Sequence, residues 1–323
     1  MRFNSLAWVL FLLLLAGVGG GLVWIYLPTN SATAEMEAAG GLLYGVIAVW
    51  LVAWLAVVQL VRLEFRSIGA KRLVWLAPII FGLTIVFLWE SLCRIYQVPQ
   101  VILPMPSLIV ERMVRSYFLM MADLGQTARA IGFGYVVGGL IGFVVALAMD
   151  RVPFLQRGLL PYCTMVSTLP IVGIAPIMVM WFGFDWQSKA AVVIIMVFFP
   201  MMVNMTAGLA ATHRYENELL KTYGAGYWQS LWRLRLPATM PFVFNALKIN
   251  TTLALIGAIV AEFFGTPIVG MGFRINSEVG RMNLDFVWAT IVVASILGTG
   301  FILFLNWLER RITFWHPSIR NSQ

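Results

Sequence analysis

An all-α membrane protein, a polytopic bundle of about eight transmembrane helices, is the fold class this sequence predicts, on three observations. Of 323 residues, 61% are hydrophobic and only 11% charged, whereas a soluble domain carries roughly 25% charged residues. Apolar runs recur near 6–27, 42–61, 73–93, 128–149, 159–183, 189–212, 240–261 and 286–308. Such runs are close to the ~20 residues that cross a ~30 Å hydrocarbon core as a helix. The net charge of +8 is scattered over the short connections between runs and forms no patch that would suit a nucleic acid. That scatter is how a membrane chain records its topology.

The first run follows a short segment containing Arg2 and reads as an uncleaved anchor, with a cleavable signal peptide as its competitor. The connection from Pro28 to Gly41 holds Glu35 and Glu37 and no Lys or Arg. Placing the N-terminus in the cytoplasm gives the inner side fourteen basic residues and the outer side seven, with Lys248 inside a span. The positive-inside rule therefore puts both termini in the cytoplasm, as an even number of spans requires. After the third run Pro104 and Pro106 break the chain, and Ser107 is placed to cap a helix. Val110, Met113, Val114 and Tyr117 then share one face, as in an interfacial helix on the outer surface.

In the fourth run Gly134, Gly138 and Gly142 repeat at four-residue spacing, which lets another helix approach closely. The fifth contains Pro161, Pro170, Gly173 and Pro176 beside Ser167 and Thr168. Backbone freed by a break at membrane depth must face protein or a water-filled cavity, so Ser167, Thr168 and Pro170 are candidate linings of a translocation path. Glu90 and Glu262, acids near span ends and close enough to the outer interface to be solvated, are further candidates, Glu262 for the path. Cys93 and Cys163 read as small buried hydrophobes, and His213 and His316 are too far apart to suggest a metal or catalytic pair.

Between the sixth and seventh runs lies the polar, basic stretch 213–240. Tyr215 to Tyr223 can form a short helix, Gly224-Ala225-Gly226 interrupts it, and a second helix follows with Trp228, Leu231, Trp232 and Arg235 on one face. Pro237 suits the first turn of the next span. Two short amphipathic helices left at the inner face of so apolar a chain form an elbow that a soluble partner could hold.

Glu218-Leu219-Leu220-Lys221-Thr222-Tyr223-Gly224, followed by Leu234-Arg235-Leu236-Pro237, resembles the cytoplasmic "EAA" loop of ABC importer permeases. Leu219 and Leu220 stand where that pattern has two alanines. Leu169 to Pro176 running into Trp181-Phe182-Gly183-Phe184 is similar to the proline-rich third core span of these permeases. Ala261 to Gly265 with Gly270-Met271-Gly272 resembles their fifth-to-sixth span connection. Ile102 to Ser107, and Glu309-Arg310-Arg311 with Trp315-His316, are similar to the nitrate, sulfonate, taurine and thiamine-precursor branch. The resemblance covers roughly residues 73 to 320 and implies a type I core of six spans preceded by two extra helices.

The implied organisation is an N-terminal two-helix extension (1–72), a first core span with the outer amphipathic helix (73–122), a permease core (123–312) and a cytoplasmic tail (313–323). The resemblance implies a multi-pass subunit of the bacterial inner membrane that imports a small solute delivered by a periplasmic or lipid-anchored binding protein. Its other implied partners are ABC ATPase subunits, a second permease subunit (the same chain or another) and membrane lipid, with no cofactor. Glu218, Gly224, Ala225, Leu234, Leu236 and Pro237 would carry the coupling to the ATPase. No Walker A loop, nucleophile elbow or HExxH motif is present, so ATP hydrolysis would belong to another polypeptide. The rival reading is a secondary ion-coupled transporter working through Glu90 or Glu262, which leaves the Gly224-to-Pro237 spacing unexplained. For substrate, Arg274 and Arg281 are outer basic residues that suit an anion, though surface solvation explains them equally well.

Overall fold

The computed structural model describes residue 16 and residues 44–55, 57–58, 76–167, 170–212, 214–265 and 268–314. The described elements are helical: α1 (Tyr44–Leu55), α2 (Leu76–Ile95), α3 (Pro106–Arg115), α4 (Tyr117–Arg151), α5 (Pro153–Ser167), α6 (Ile171–Phe182) and α7 (Trp186–Ala210) come first. Then follow α8 (Arg214–Thr222), α9 (Tyr227–Ser230), a π-turn (Leu231–Arg235), α10 (Leu236–Glu262), α11 (Met271–Gly280) and α12 (Leu284–Ile312). Among the described residues five helices are long and apolar enough to cross a membrane: α2, α4, α7, α12 and the continuous stretch Tyr227–Glu262. The first apolar run lies outside the described residues apart from position 16, as do His213, His316 and Thr168.

The fifth run, expected as one span, is two helices. α5 and α6 have 15 and 12 residues, or about 22 Å and 18 Å at 1.5 Å per residue, each short of a ~30 Å core. Pro170 is the extended N-cap of α6, with φ −66° and ψ 120°. Its extended backbone interrupts the helical run, and the helix restarts at Ile171.

The chain divides into two compact units. The first comprises Met1–Arg115 with Met282–Ala289. Within it Glu90, expected to be solvated, is 3% exposed. Its carboxylate accepts from Arg94 Nε (2.8 Å), Ser107 Oγ (2.8 Å) and the Ser107 backbone N–H (2.9 Å). The cap of α3 is thus a carboxylate from the preceding helix, and Ser107 is its donor rather than the capping acceptor. Arg112 pairs with Asp285 (2.7 Å). Val110 and Val114 are exposed and Met113 is half-buried, whereas Tyr117, expected on the same face, lies beyond the end of α3 and opens α4.

The second unit, Ser116–Arg281 with Thr290–Gln323, is built on α4, α7 and α10. The glycine repeat of α4 meets α7: a Cβ on Gly134, Gly138 or Gly142 would lie 2.6 Å from Val193 Cβ, Ile194 O or Phe198 O respectively. Only glycine permits that approach. Polar side chains fix the third helix against these two, with Asn250 Nδ2 donating to Val197 O (3.1 Å) and Tyr135 Oη to Leu247 O (2.7 Å). Lys248 pairs with Glu309 (2.5 Å), tying α10 to α12.

Candidate functional site

The glycine interruption of the elbow is a helix-ending hydrogen-bond motif. Gly224 takes φ +75°, its N–H donates to Lys221 O (2.9 Å), and the Ala225 N–H donates to Leu220 O (3.0 Å). These are the paired bonds of a Schellman ending, with the left-handed residue just past the helix, where a side chain is strained and glycine is not. Gly226 then caps α9, its N–H donating to Gln229 Oε1 (3.2 Å). The chain turns within three residues, and Pro237 sits in the first turn of α10, where a missing N–H is harmless.

The two halves of the elbow are anchored very differently. On α8, Tyr215 (83%), Leu219 (58%) and Tyr223 (81%) form an exposed stripe at four-residue spacing, beside exposed Glu216 and Lys221. Ser230 Oγ, in the second half, donates to Asn217 Oδ1 on α8 (3.3 Å). Beyond the glycines, Leu231 (1%) and Leu236 (5%) enter a cluster with Ala146, Met149, Cys163, Met202, Met205 and Leu209. Leu234 and Pro237 are half-buried. The expected single face of the second helix is therefore split. Leu231 and Arg235 point inward, whereas Trp228 (65%) and Trp232 (67%) are exposed. A cavity of about 700 Å³ lies under the elbow, lined among others by Asn217, Glu218, Lys221, Ala225 and Arg235.

Asp150 was no sequence candidate, yet it fastens the second half. Its Oδ1 and Oδ2 accept from Arg235 Nη2 (2.6 Å) and Nη1 (2.8 Å), and Tyr227 Oη donates to Oδ2 (2.7 Å). Arg235 Nη2 also donates to Leu209 O (3.0 Å), and Arg151 lies 4.8 Å over the Tyr227 ring. A sequence signal did exist. A carboxylate in the last turn of a helix opposes the helix dipole and therefore asks for a cation.

At the opposite end of this unit a buried polar knot joins α4, α10 and α11. Glu262 (2% exposed) accepts from Thr127 Oγ1 (2.8 Å) and from the Gly272 N–H (2.6 Å). Asp123 (1%) accepts from the Gly270 N–H (2.9 Å) and from Arg274 Nε (2.8 Å). Two carboxylates thus meet the first turn of α11, where backbone N–H groups are unpaired. Glu262 was expected at a solvated interface. It is enclosed instead, because Gly270 and Gly272 bring backbone against its carboxylate: a Cβ on Gly270 would lie 2.9 Å from it. Arg274, a candidate anion ligand, pairs with Asp123, and Arg281 pairs with Glu278 (3.1 Å). Ser167 ends α5 and Pro170 begins α6, so both flank the break in the fifth run.

Comparison with known proteins bears on the same region. Residues 138–314 match the family described as binding-protein-dependent transport system inner membrane component. The chain is 33% identical over 241 residues to the formylaminopyrimidine transport permease protein ThiX of Halalkalibacterium halodurans, covering 74% of this chain and 96% of that protein. It is 26% identical to the riboflavin transport system permease protein RibX of Chloroflexus aurantiacus (80% and 97% covered). It is 25% identical to the taurine transport system permease protein TauC of Escherichia coli (79% and 98% covered).

Proposed function

Because the chain belongs to the family of binding-protein-dependent transport system inner membrane components, we propose that its elbow is the ATPase handle and that its solute is a small vitamin-related heterocycle. The family sets the frame: a multi-pass permease subunit of an ATP-driven ABC importer, not itself an enzyme, working with ATPase subunits and a binding protein. Within that frame the observation that carries the reading is the contrast across Gly224. An exposed Tyr215–Leu219–Tyr223 stripe precedes it and a firmly seated half follows it. The stripe offers apolar and aromatic area to a groove on the ATPase, flanked by Glu216, Glu218 and Lys221 for orientation. Gly224, Ala225, Leu234, Leu236 and Pro237 hold the geometry between docking and membrane.

We assign the elbow and both termini to the cytoplasmic side, a reading supported by the excess of basic residues in the connections of that side. Two permease copies, alike or different, embedded in lipid of the bacterial inner membrane, enclose the path. Its wall includes the break between α5 and α6, at Ser167, Thr168 and Pro170, with Glu262 at the outer end of α10. Binding-protein delivery outside and ATPase closure inside then alternate the opening. The solute class is supported by the names of two relatives, which transport formylaminopyrimidine and riboflavin, and by the engagement of Arg274 with Asp123 rather than with solvent.

The test is reconstitution with the cognate ATPase and binding protein in proteoliposomes, supplying a labelled aminopyrimidine or taurine in turn. ATP-dependent uptake of the pyrimidine is expected, abolished by Gly224→Trp, which also weakens ATPase co-purification. A Cβ at Gly224 has no heavy atom within 4 Å, so the indole adds bulk toward a partner and strain at the positive-φ turn rather than a clash at Cβ. Taurine uptake in place of pyrimidine uptake overturns the solute class. Full ATPase recovery with the Trp variant overturns the handle.

A further inference from the structure

We propose that Arg235, held by Asp150, whose carboxylate Tyr227 also engages, is the positioning node through which a displacement of the elbow reaches α4, α7 and α10 together; this rests on the elbow being the ATPase handle.

The geometry concentrates three helix ends on one guanidinium. Arg235 closes the π-turn and is the N-cap of α10. One edge of its fork grips Asp150, in the last turn of α4, through two bonds of 2.6 and 2.8 Å. Nη2 also reaches Leu209 O, 3.0 Å away in the last turn of α7. That oxygen is among the carbonyls a helix end leaves without an intrahelical donor. Asp150 works against the α4 dipole where it stands, so its placement is explained by Arg235 and Tyr227 rather than by its own helix. Both partners of the ion pair are largely shielded, at 18% and 14% side-chain exposure. The fork is specific: a lysine offers a point charge and cannot span a carboxylate and a carbonyl in fixed directions.

The route from the docking half leads to the same atoms. Past Gly224, Ala225 and Gly226 the next side chain is Tyr227, whose hydroxyl donates to Asp150 Oδ2 at 2.7 Å and whose ring lies under Arg151. Leu231 and Leu236 seat the intervening π-turn in the cluster formed with Met149, Met202 and Leu209. Consequently the segment from Tyr227 to Leu236 cannot shift without taking along the ends of α4 and α7. Turns of π type inside longer helices recur at functional sites, and this one places the node at the base of a span.

The experiment uses the whole permease–ATPase complex in nanodiscs, with spin labels on cysteines replacing exposed Trp228 and Leu140 and the buried Cys93 and Cys163 left in place. Distances are compared without nucleotide and with Mg-ATP plus vanadate. With the native node the interval is the same in both states, because the elbow's second half and α4 move as one body. Arg235→Gln and Asp150→Asn lengthen or broaden it by several ångströms on nucleotide addition, with ATPase still bound and hydrolysing. Arg235→Lys shows the same defect despite keeping its charge, and Tyr227→Phe, the mildest change, a smaller one. A node variant that behaves as wild type while holding its ATPase overturns the node and leaves the handle standing. So does a wild-type interval that changes with nucleotide, or an Arg235→Gln variant whose defect is lost ATPase binding. Failure of the wild-type permease to retain any ATPase overturns the handle, and the node with it.

Discussion

Replacing Gly224 by alanine and by asparagine separates backbone strain from bulk at the centre of the elbow. The residue sits at φ +75°, and a Cβ built there meets no heavy atom within 4 Å. Alanine therefore adds no clash and only the left-handed penalty of an L-residue, ~1–2 kcal/mol. Reduced freedom of the unfolded chain returns part of this, ~0.4–1 kcal/mol, so the elbow loses ~1 kcal/mol of preference for its bent form. Asparagine is larger but tolerates the left-handed region better, so its penalty is smaller. If α8 docks in this bent geometry, the loss appears as affinity, ~5-fold for ~1 kcal/mol. The assay is titration of the purified ATPase subunit against the permease in nanodiscs. The predicted order is Gly, then Asn, then Ala, whereas an order set by volume would put Ala before Asn. Alanine equal to wild type, or better than asparagine, would refute the argument that positive φ is what the elbow requires.

Gly138→Ala sets a Cβ 2.6 Å from Ile194 O and 2.9 Å from Ile194 Cα, atoms that cannot rotate away. It should lower stability by ~1–3 kcal/mol in thermal unfolding, whereas Gly139→Ala, 3.7 Å from the flexible Met201 Cε, should not. Asp123→Asn removes the carboxylate charge of the Asp123–Arg274 pair in a site where Asp123 is 1% exposed, and should cost ~3–5 kcal/mol. The double change Asp123→Leu with Arg274→Met should recover much of that in the same melts. Leu219→Asp, at a side chain 58% exposed, should leave the melting temperature unchanged while weakening ATPase retention on affinity resin.

What the sequence made legible was whatever depends on local chemistry. The apolar runs, the Gly134–Gly138–Gly142 seam, the turn at Gly224 and the placement of Pro237 each follow from one residue type in one backbone setting. Pairings across 85 or 151 residues, such as Arg235 with Asp150 and Arg274 with Asp123, have no local signature, and they enclose side chains expected in water. Glu262 illustrates this. Its neighbourhood read as a span end, but Gly272, ten residues on, returns a backbone N–H to it. The two-helix fifth run was half legible. Pro170 was noticed as a break, but the shortness of the helices on either side depends on where their neighbours allow them to end. The face of the second elbow helix was misplaced because the π-turn and the Asp150 anchor, rather than the pattern of large residues, choose what points inward.

The most direct measurement is the labelling of a single cysteine at Leu219 by a membrane-impermeant maleimide, against the low background that buried Cys93 and Cys163 provide. In inside-out vesicles the site should label readily and become protected when ATPase subunits are added, and in spheroplasts it should stay unlabelled. Labelling from the outer side, or inside-out labelling indifferent to the ATPase, would contradict the placement and the role of the elbow.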